Sequence, residues 1–266
     1  MKKLNTYINE KLIINKNTKK IHQYKVTNIG ELNSLLVKLY KTEGDDADLN
    51  SIDVSEVGCF SNAFEGTNFT NIDISQWNTN NANQIAGIFD HCTKTKTINI
   101  SNFNTSNIES FINIFNDCYS LEKIIGLDTF DTSNAKYFSN MFNECNNLKT
   151  IGGIENWNTK NVLNMTSMFS DCNKLEKINI SNWDVNNTVL FTHMFANCKN
   201  LKYIGDISNW NINNARDFGQ MFINCENLTN IGNLNKWKIN KKQHLIYGTF
   251  EGCKKLKIVP NWYESI

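Results

Sequence analysis

Residues 158–183 read NTKNVLNMTSMFSDCNKLEKINISNW, and almost the whole chain is variations on that line. Val162, Met165, Met168, Phe169 and Cys172 fall at spacings of three and four, the stripe of a short amphipathic helix. After Cys172 the period changes. Leu175, Ile178 and Ile180 lead to Trp183 as L-x-x-I-x-I-x-x-W, and the Ile178/Ile180 alternation predicts a short strand with one buried face. The aromatic that ends the line marks every copy: Trp77, Phe103, Phe130, Trp157, Trp183, Trp210 and Trp237. A second aromatic follows twelve residues after each of the first six, at Phe89, Phe115, Phe142, Phe169, Phe195 and Phe222, with a cysteine three further on, from Cys92 to Cys225. Self-similarity at a fixed period of this length signals stacked coils that each contact only their neighbours.

The markers are 26 or 27 residues apart, and the difference has a local cause. Each 27-residue interval carries glycine at the strand exit (Gly126, Gly152 with Gly153, Gly205, Gly232), whereas the 26-residue intervals ending at Phe103 and Trp183 have none there. Glycine tolerates the positive φ that an extra, bulged residue needs. Asn or Asp follows the marker at Asn78, Asn104, Asp131, Asn158, Asp184 and Asn211, predicting Asx-turns and helix N-caps. The fold expected is an α/β right-handed leucine-rich-repeat solenoid with one short parallel strand and one short helix per coil. Residues 1–49 read as an N-terminal cap, 50–258 as seven to eight coils, and 259–266 as a C-terminal tail. The cap should hold an amphipathic helix over 29–43, with Leu32, Leu35, Leu36 and Leu39 on one face and Asn28 with Glu31 as a capping box. A hairpin is expected over 8–26.

Composition narrows function mostly by exclusion. Lys+Arg total 27 against 26 for Asp+Glu, so no overall field draws the chain to nucleic acid or an anionic membrane. Only Arg216 is an arginine, and Asn, Ile and Lys abound, a bias expected of an AT-rich genome. The start of the chain has Lys2 and Lys3 but no following apolar run, so no signal peptide or membrane span is expected. That reads as a cytoplasmic protein, or a mature form without its leader.

The N-W-N-T-x-N-V-x-N-M-x-x-M-F-x-x-C-x-x-L-x-x-I pattern, best seen at 156–178, resembles BspA-like leucine-rich-repeat proteins over residues 50–258. That resemblance implies a cell-surface or host-interaction role with protein or matrix ligands, and it carries no catalytic residues across.

Eight cysteines raise the question of bridges or metal. Seven form one column, Cys59 stands in another slot, and no C-x-x-C occurs. Buried, reduced thiols are therefore expected, and a hydroxyl at position 172 would be buried without an assured partner. His22, His91, His193 and His244 are scattered over different slots with no recurrent carboxylate or nucleophile, and no glycine-rich phosphate loop is present. No catalytic, cofactor or metal site is expected. The remaining candidate is the outward strand face, where Lys149, Lys177, Lys202 and Tyr203 form a mildly basic ribbon with a single aromatic. The reading is a non-enzymatic protein-interaction module, with a structural repeat protein lacking any specific ligand as the alternative.

Overall fold

The computed structural model describes residues 22–263. Its one α-helix among these residues, α1 (Ile29–Glu43), is built as the cap reading requires. Leu32, Leu36 and Leu39 are buried, Asn28 accepts the Glu31 amide, and Gly44 ends the helix at φ 60°. The capping reach is one residue longer than expected, because the Glu31 carboxylate takes the Thr27 amide at 2.8 Å. Most of the hairpin expected over 8–26 lies outside the described residues. Its described end, β1 (Tyr24–Lys25), pairs parallel with β2 (Ile52–Asp53) and so opens the stack.

From there a parallel ladder runs through the chain. Strands β3 (Asn71–Asp73), β4 (Thr97–Asn99) and β5 (Lys123–Ile125) pair with Ile72, Ile98 and Ile124 in register. Beyond β5 the ladder narrows to single bridges, Thr150 to Lys177, Lys177 to Tyr203 and Tyr203 to Asn230. Parallel pairing of segments one coil apart makes every connection a crossover, so the chain is a leucine-rich-repeat solenoid. The exit glycines take the conformation the length rule demands, with φ of 104°, 89°, 93° and 88° at Gly126, Gly153, Gly205 and Gly232.

The expected helix in each coil is absent, and this is the main correction to the sequence reading. Residues 162–172 form successive β-turns, in which the amides of Met168, Ser170 and Cys172 bond to carbonyls three residues back. Ser167 and Asp171 sit at positive φ, as do the matching residues of neighbouring coils, including Asn140 with Glu144 and Asn113 with Asp117. The other amides point along the stack: Met165, Ser167, Phe169 and Asp171 donate to Leu190, Thr192, Met194 and Ala196 of the next coil. A three-turn helix would be marginal alone; the turn ladder instead satisfies the backbone between coils. Four-residue turns also return to the core every three or four residues, which is why their apolar pattern imitates a helix. The Asx-turns stand, without a helix to cap. Ser106, Ser133 and Asn186 amides bond to the side chains of Asn104, Asp131 and Asp184 at 2.9–3.0 Å.

The columns meet as stacked rings. Phe115, Phe142, Phe169, Phe195 and Phe222 lie 5.2–5.5 Å apart, centroid to centroid, and nearly parallel. Such offset stacks contribute about 0.5–1.5 kcal/mol per pair beyond area burial. The marker tryptophans stack likewise, and Trp262, placed by sequence in the tail, joins them 6.3 Å from Trp237. A void of about 10 Å³ lies at Phe103 and Phe130, where phenylalanine replaces tryptophan in that column.

From Trp157 onward the exit glycines decide whether a tryptophan of this column finds an acceptor, whereas Trp77 reaches the Leu49 carbonyl at 2.8 Å without such a glycine. Trp157, Trp183, Trp237 and Trp262 donate to Leu127, Ile154, Ile207 and Leu234, all just beyond a glycine exit of the previous coil. The coil ending at Phe103 lacks that glycine, and the residue stacked on it is Phe130, which has no donor. The coil ending at Trp183 also lacks it, and Trp210 above is left with a buried, unpartnered Nε1–H.

Candidate functional site

The cysteine column is structural. Cys118, Cys145, Cys172, Cys198 and Cys225 are buried and unpaired by disulfide. Each thiol donates to the carbonyl of the phenylalanine one coil back, as Cys172 does to Phe142 at 3.1 Å and Cys198 to Phe169 at 2.9 Å. The sequence reading foresaw burial but missed this partner, because only the turn geometry turns that carbonyl toward the thiol. Burial pushes these thiols well above their ordinary range, and Cys253, less deeply placed, rises to about 12. Such thiols are poor nucleophiles.

Two cavities lie among the described residues. The void at Phe103 is lined only by apolar side chains. A surface cleft of about 230 Å³ is lined by Trp210, Asn211, Ile212, Asn213, Lys236, Trp237 and Lys238, with no general base beside a nucleophile. The histidines separate further. His244 is buried, its ring Nδ1 accepts the Asn240 amide at 2.8 Å, and burial with Arg216 nearby lowers its pKa. His193 bonds to Gln220. His91, which the sequence left isolated, stands beside Asp117 with 3.0 Å between Nδ1 and the carboxylate.

The four strand-face residues lie along one edge of the ladder. Lys177 and Tyr203 are bridge partners, with Thr150 before them and Asn230 after. All four residues are exposed, Tyr203 at 47%, while Trp210 is buried. Tyr203 is therefore not packed away beside the tryptophan column. Lys202 pairs with Glu176 at 3.0 Å. That hydrogen bond, followed by the charges of Lys202, Lys149 and Lys177, holds the Glu176 carboxyl below its usual range. The ribbon is thus basic but partly neutralised from within. Lys199 and Lys254 flank Glu226 in the same way further on, with Lys254 2.9 Å from its carboxylate. Among the described residues no helix is long and apolar enough to cross a membrane.

Residues 4–99, 61–152 and 139–262 match the family described as a Mycoplasma protein of unknown function, DUF285. The chain belongs to the DUF285 family. The overlapping matches follow from its internal repeat. No curated protein matches it. Two solved leucine-rich-repeat proteins resemble this DUF285 chain in structure. One is from T. pallidum, at 14% identity and TM-score 0.31 over 61% of this chain and 73% of the other. The second is from Bacteroides ovatus, at 17% identity and TM-score 0.40 over 80% of this chain and 60% of that one. The chain is a bacterial repeat protein whose coils stack through a parallel ladder.

Proposed function

We propose that this DUF285 chain is a non-enzymatic docking module whose strand face receives an acidic protein or matrix component around Lys149, Lys177, Lys202 and Tyr203. The observation that carries the reading is Tyr203, an aromatic residue 47% exposed within the ladder of bridges and flanked by lysines. Tyrosine presents a large amphipathic area at low entropic cost and is over-represented at binding centres. The backbone beneath is bonded from coil to coil, the Lys202 amide to Glu176 at 2.9 Å and the Ile178 amide to Tyr203 at 3.1 Å, which lowers the ordering cost of docking. The resemblance to BspA-like proteins extends the proposal to surface adhesion or host binding.

A pull-down from cell extracts and matrix proteins, comparing the native chain with a Lys202→Glu/Tyr203→Ala variant, tests it. A protein retained by the native chain and lost by the folded variant supports docking here. Undiminished retention by the variant refutes the placement. Failure to retain any protein favours the second reading, a structural repeat without a specific ligand. The internal Lys202–Glu176 pair, which satisfies ribbon charge without a partner, speaks for that alternative.

A further inference from the structure

One pair of neighbouring coils carries a combination of side chains that the repeat does not explain. The turn ladder places Asp90, His91 and Asp117 so that one donor atom from each lies within 4.8 Å of the others. The His91 ring lies between the carboxylates, with Nδ1 3.0 Å from Asp117 and Nε2 3.7 Å from Asp90. The carboxylates are largely withdrawn from water, with side chains 12% and 13% exposed, whereas the imidazole is 51% exposed. Asn116 holds both in place, donating from its amide to Asp90 at 2.8 Å and Asp117 at 3.0 Å. Asn113 supports the other Asp90 oxygen at 3.4 Å.

We propose that Asp90, His91 and Asp117 bind one divalent transition-metal ion of the zinc class. Two carboxylates largely withdrawn from water need a cation; among the described residues no lysine or arginine pairs with either, and the group that faces both is His91, itself a metal ligand when neutral. Imidazole nitrogen with carboxylate oxygens suits zinc, cobalt or manganese, while calcium and magnesium favour all-oxygen shells. Bonds of about 2.0–2.2 Å would draw the donor atoms together. The exposed imidazole is the ligand free to pivot inward, and the carboxylates are already fixed by amide hydrogen bonds of the kind that orient metal ligands. The solenoid supplies its own control, because the other histidine in a turn, His193, meets Gln220 and not a carboxylate pair. Packing accounts for columns that recur in every coil, but not for a histidine set between an aspartate of its own coil and one of the next.

Titration of the purified full chain with cobalt(II) chloride alone, followed by absorption spectroscopy and calorimetry, tests the site. The expected result is one ion per chain with a nitrogen/oxygen ligand spectrum. His91→Asn, which keeps a residue suited to positive φ, and Asp117→Asn should each weaken binding by more than about 100-fold, and Asn116→Ala by about 10–100-fold. Asp171→Asn, two coils on, should bind as the native chain does. Absence of binding, equal binding by His91→Asn, or thiolate charge-transfer bands showing that the cysteine column holds the ion would each overturn the proposal. Circular dichroism confirms that each variant is folded, and the native spectrum alone decides between nitrogen/oxygen and sulfur ligation.

Discussion

Replacing Cys172 by serine and by alanine separates two accounts of the cysteine column. If the thiol were only a small apolar filler, serine would bury a hydroxyl with no partner and be the worse substitution, at about 1–3 kcal/mol. The structure gives position 172 an acceptor, the Phe142 carbonyl at 3.1 Å. That carbonyl also accepts the Cys145 amide, so alanine does not orphan it. Alanine loses one weak hydrogen bond and leaves a void the size of a sulfur atom in a fully buried layer, together about 1.5–2.5 kcal/mol. Serine keeps a donor aimed at the same oxygen, though from a shorter side chain, and should cost about 0.5–1.5 kcal/mol. The assay is urea unfolding of native chain, Cys172→Ser and Cys172→Ala under one condition with comparable m-values. Serine less stable than alanine would refute the hydrogen-bonded column.

Other perturbations follow from the same packing. Gly126→Ala should cost more than about 2 kcal/mol, because φ there is 104° and a Cβ would lie 2.5 Å from the Ser101 Cα; a loss below 1 kcal/mol, by the same unfolding assay, would be inconsistent with the bulge. Trp210→Phe and Trp183→Phe each leave a void, but Trp210→Phe removes a buried orphan donor and should cost about 1 kcal/mol less than Trp183→Phe, which also loses a 2.9 Å bond to Ile154; equal losses at both sites in urea unfolding would count against the glycine rule. Alkaline pH should unfold the protein cooperatively. Burial raises Cys118, Cys145, Cys172, Cys198, Cys225 and Cys253 in the folded chain, while unfolded thiols ionise near pH 8.5. The folded state then holds more protons, so stability falls as pH rises above about 9, by up to roughly 8 kcal/mol per unit for six thiols. A urea midpoint unchanged between pH 8 and 10 would contradict this.

Much of the solenoid was legible because packing repeats it. Ile72, Ile98 and Ile124 stack in the register their spacing implied, and the exit glycines take positive φ where the interval lengthens. The turn ladder was misread as helix because Val162, Met165, Phe169 and Cys172 obey a helical period for another reason. The overlooked signal was the residue five and one before each cysteine: Asn113 and Asp117, Asn140 and Glu144, Gly248 and Gly252. Asparagine, aspartate and glycine tolerate left-handed backbone far better than most residues. Asparagine abundance, read as codon bias, also has a structural use. Asn134, Asn161, Asn187 and Asn214 each donate to a carbonyl of the preceding coil at 2.7–2.8 Å. The His91 cluster was hidden because, beside its sequence neighbour Asp90, its second partner Asp117 comes from the adjoining coil, 26 residues on. The strand face could be placed from sequence by alternation alone, but not the Lys202–Glu176 pair that moderates its charge.

The central claim is that coils are held by turns bonded from one to the next and not by a helix in each. Far-ultraviolet circular dichroism of the full chain tests it most directly. The account predicts a weak helical signal, consistent with the single 15-residue helix Ile29–Glu43 among the described residues, over a background of turns and short strands. A spectrum requiring a helix in every coil would contradict it.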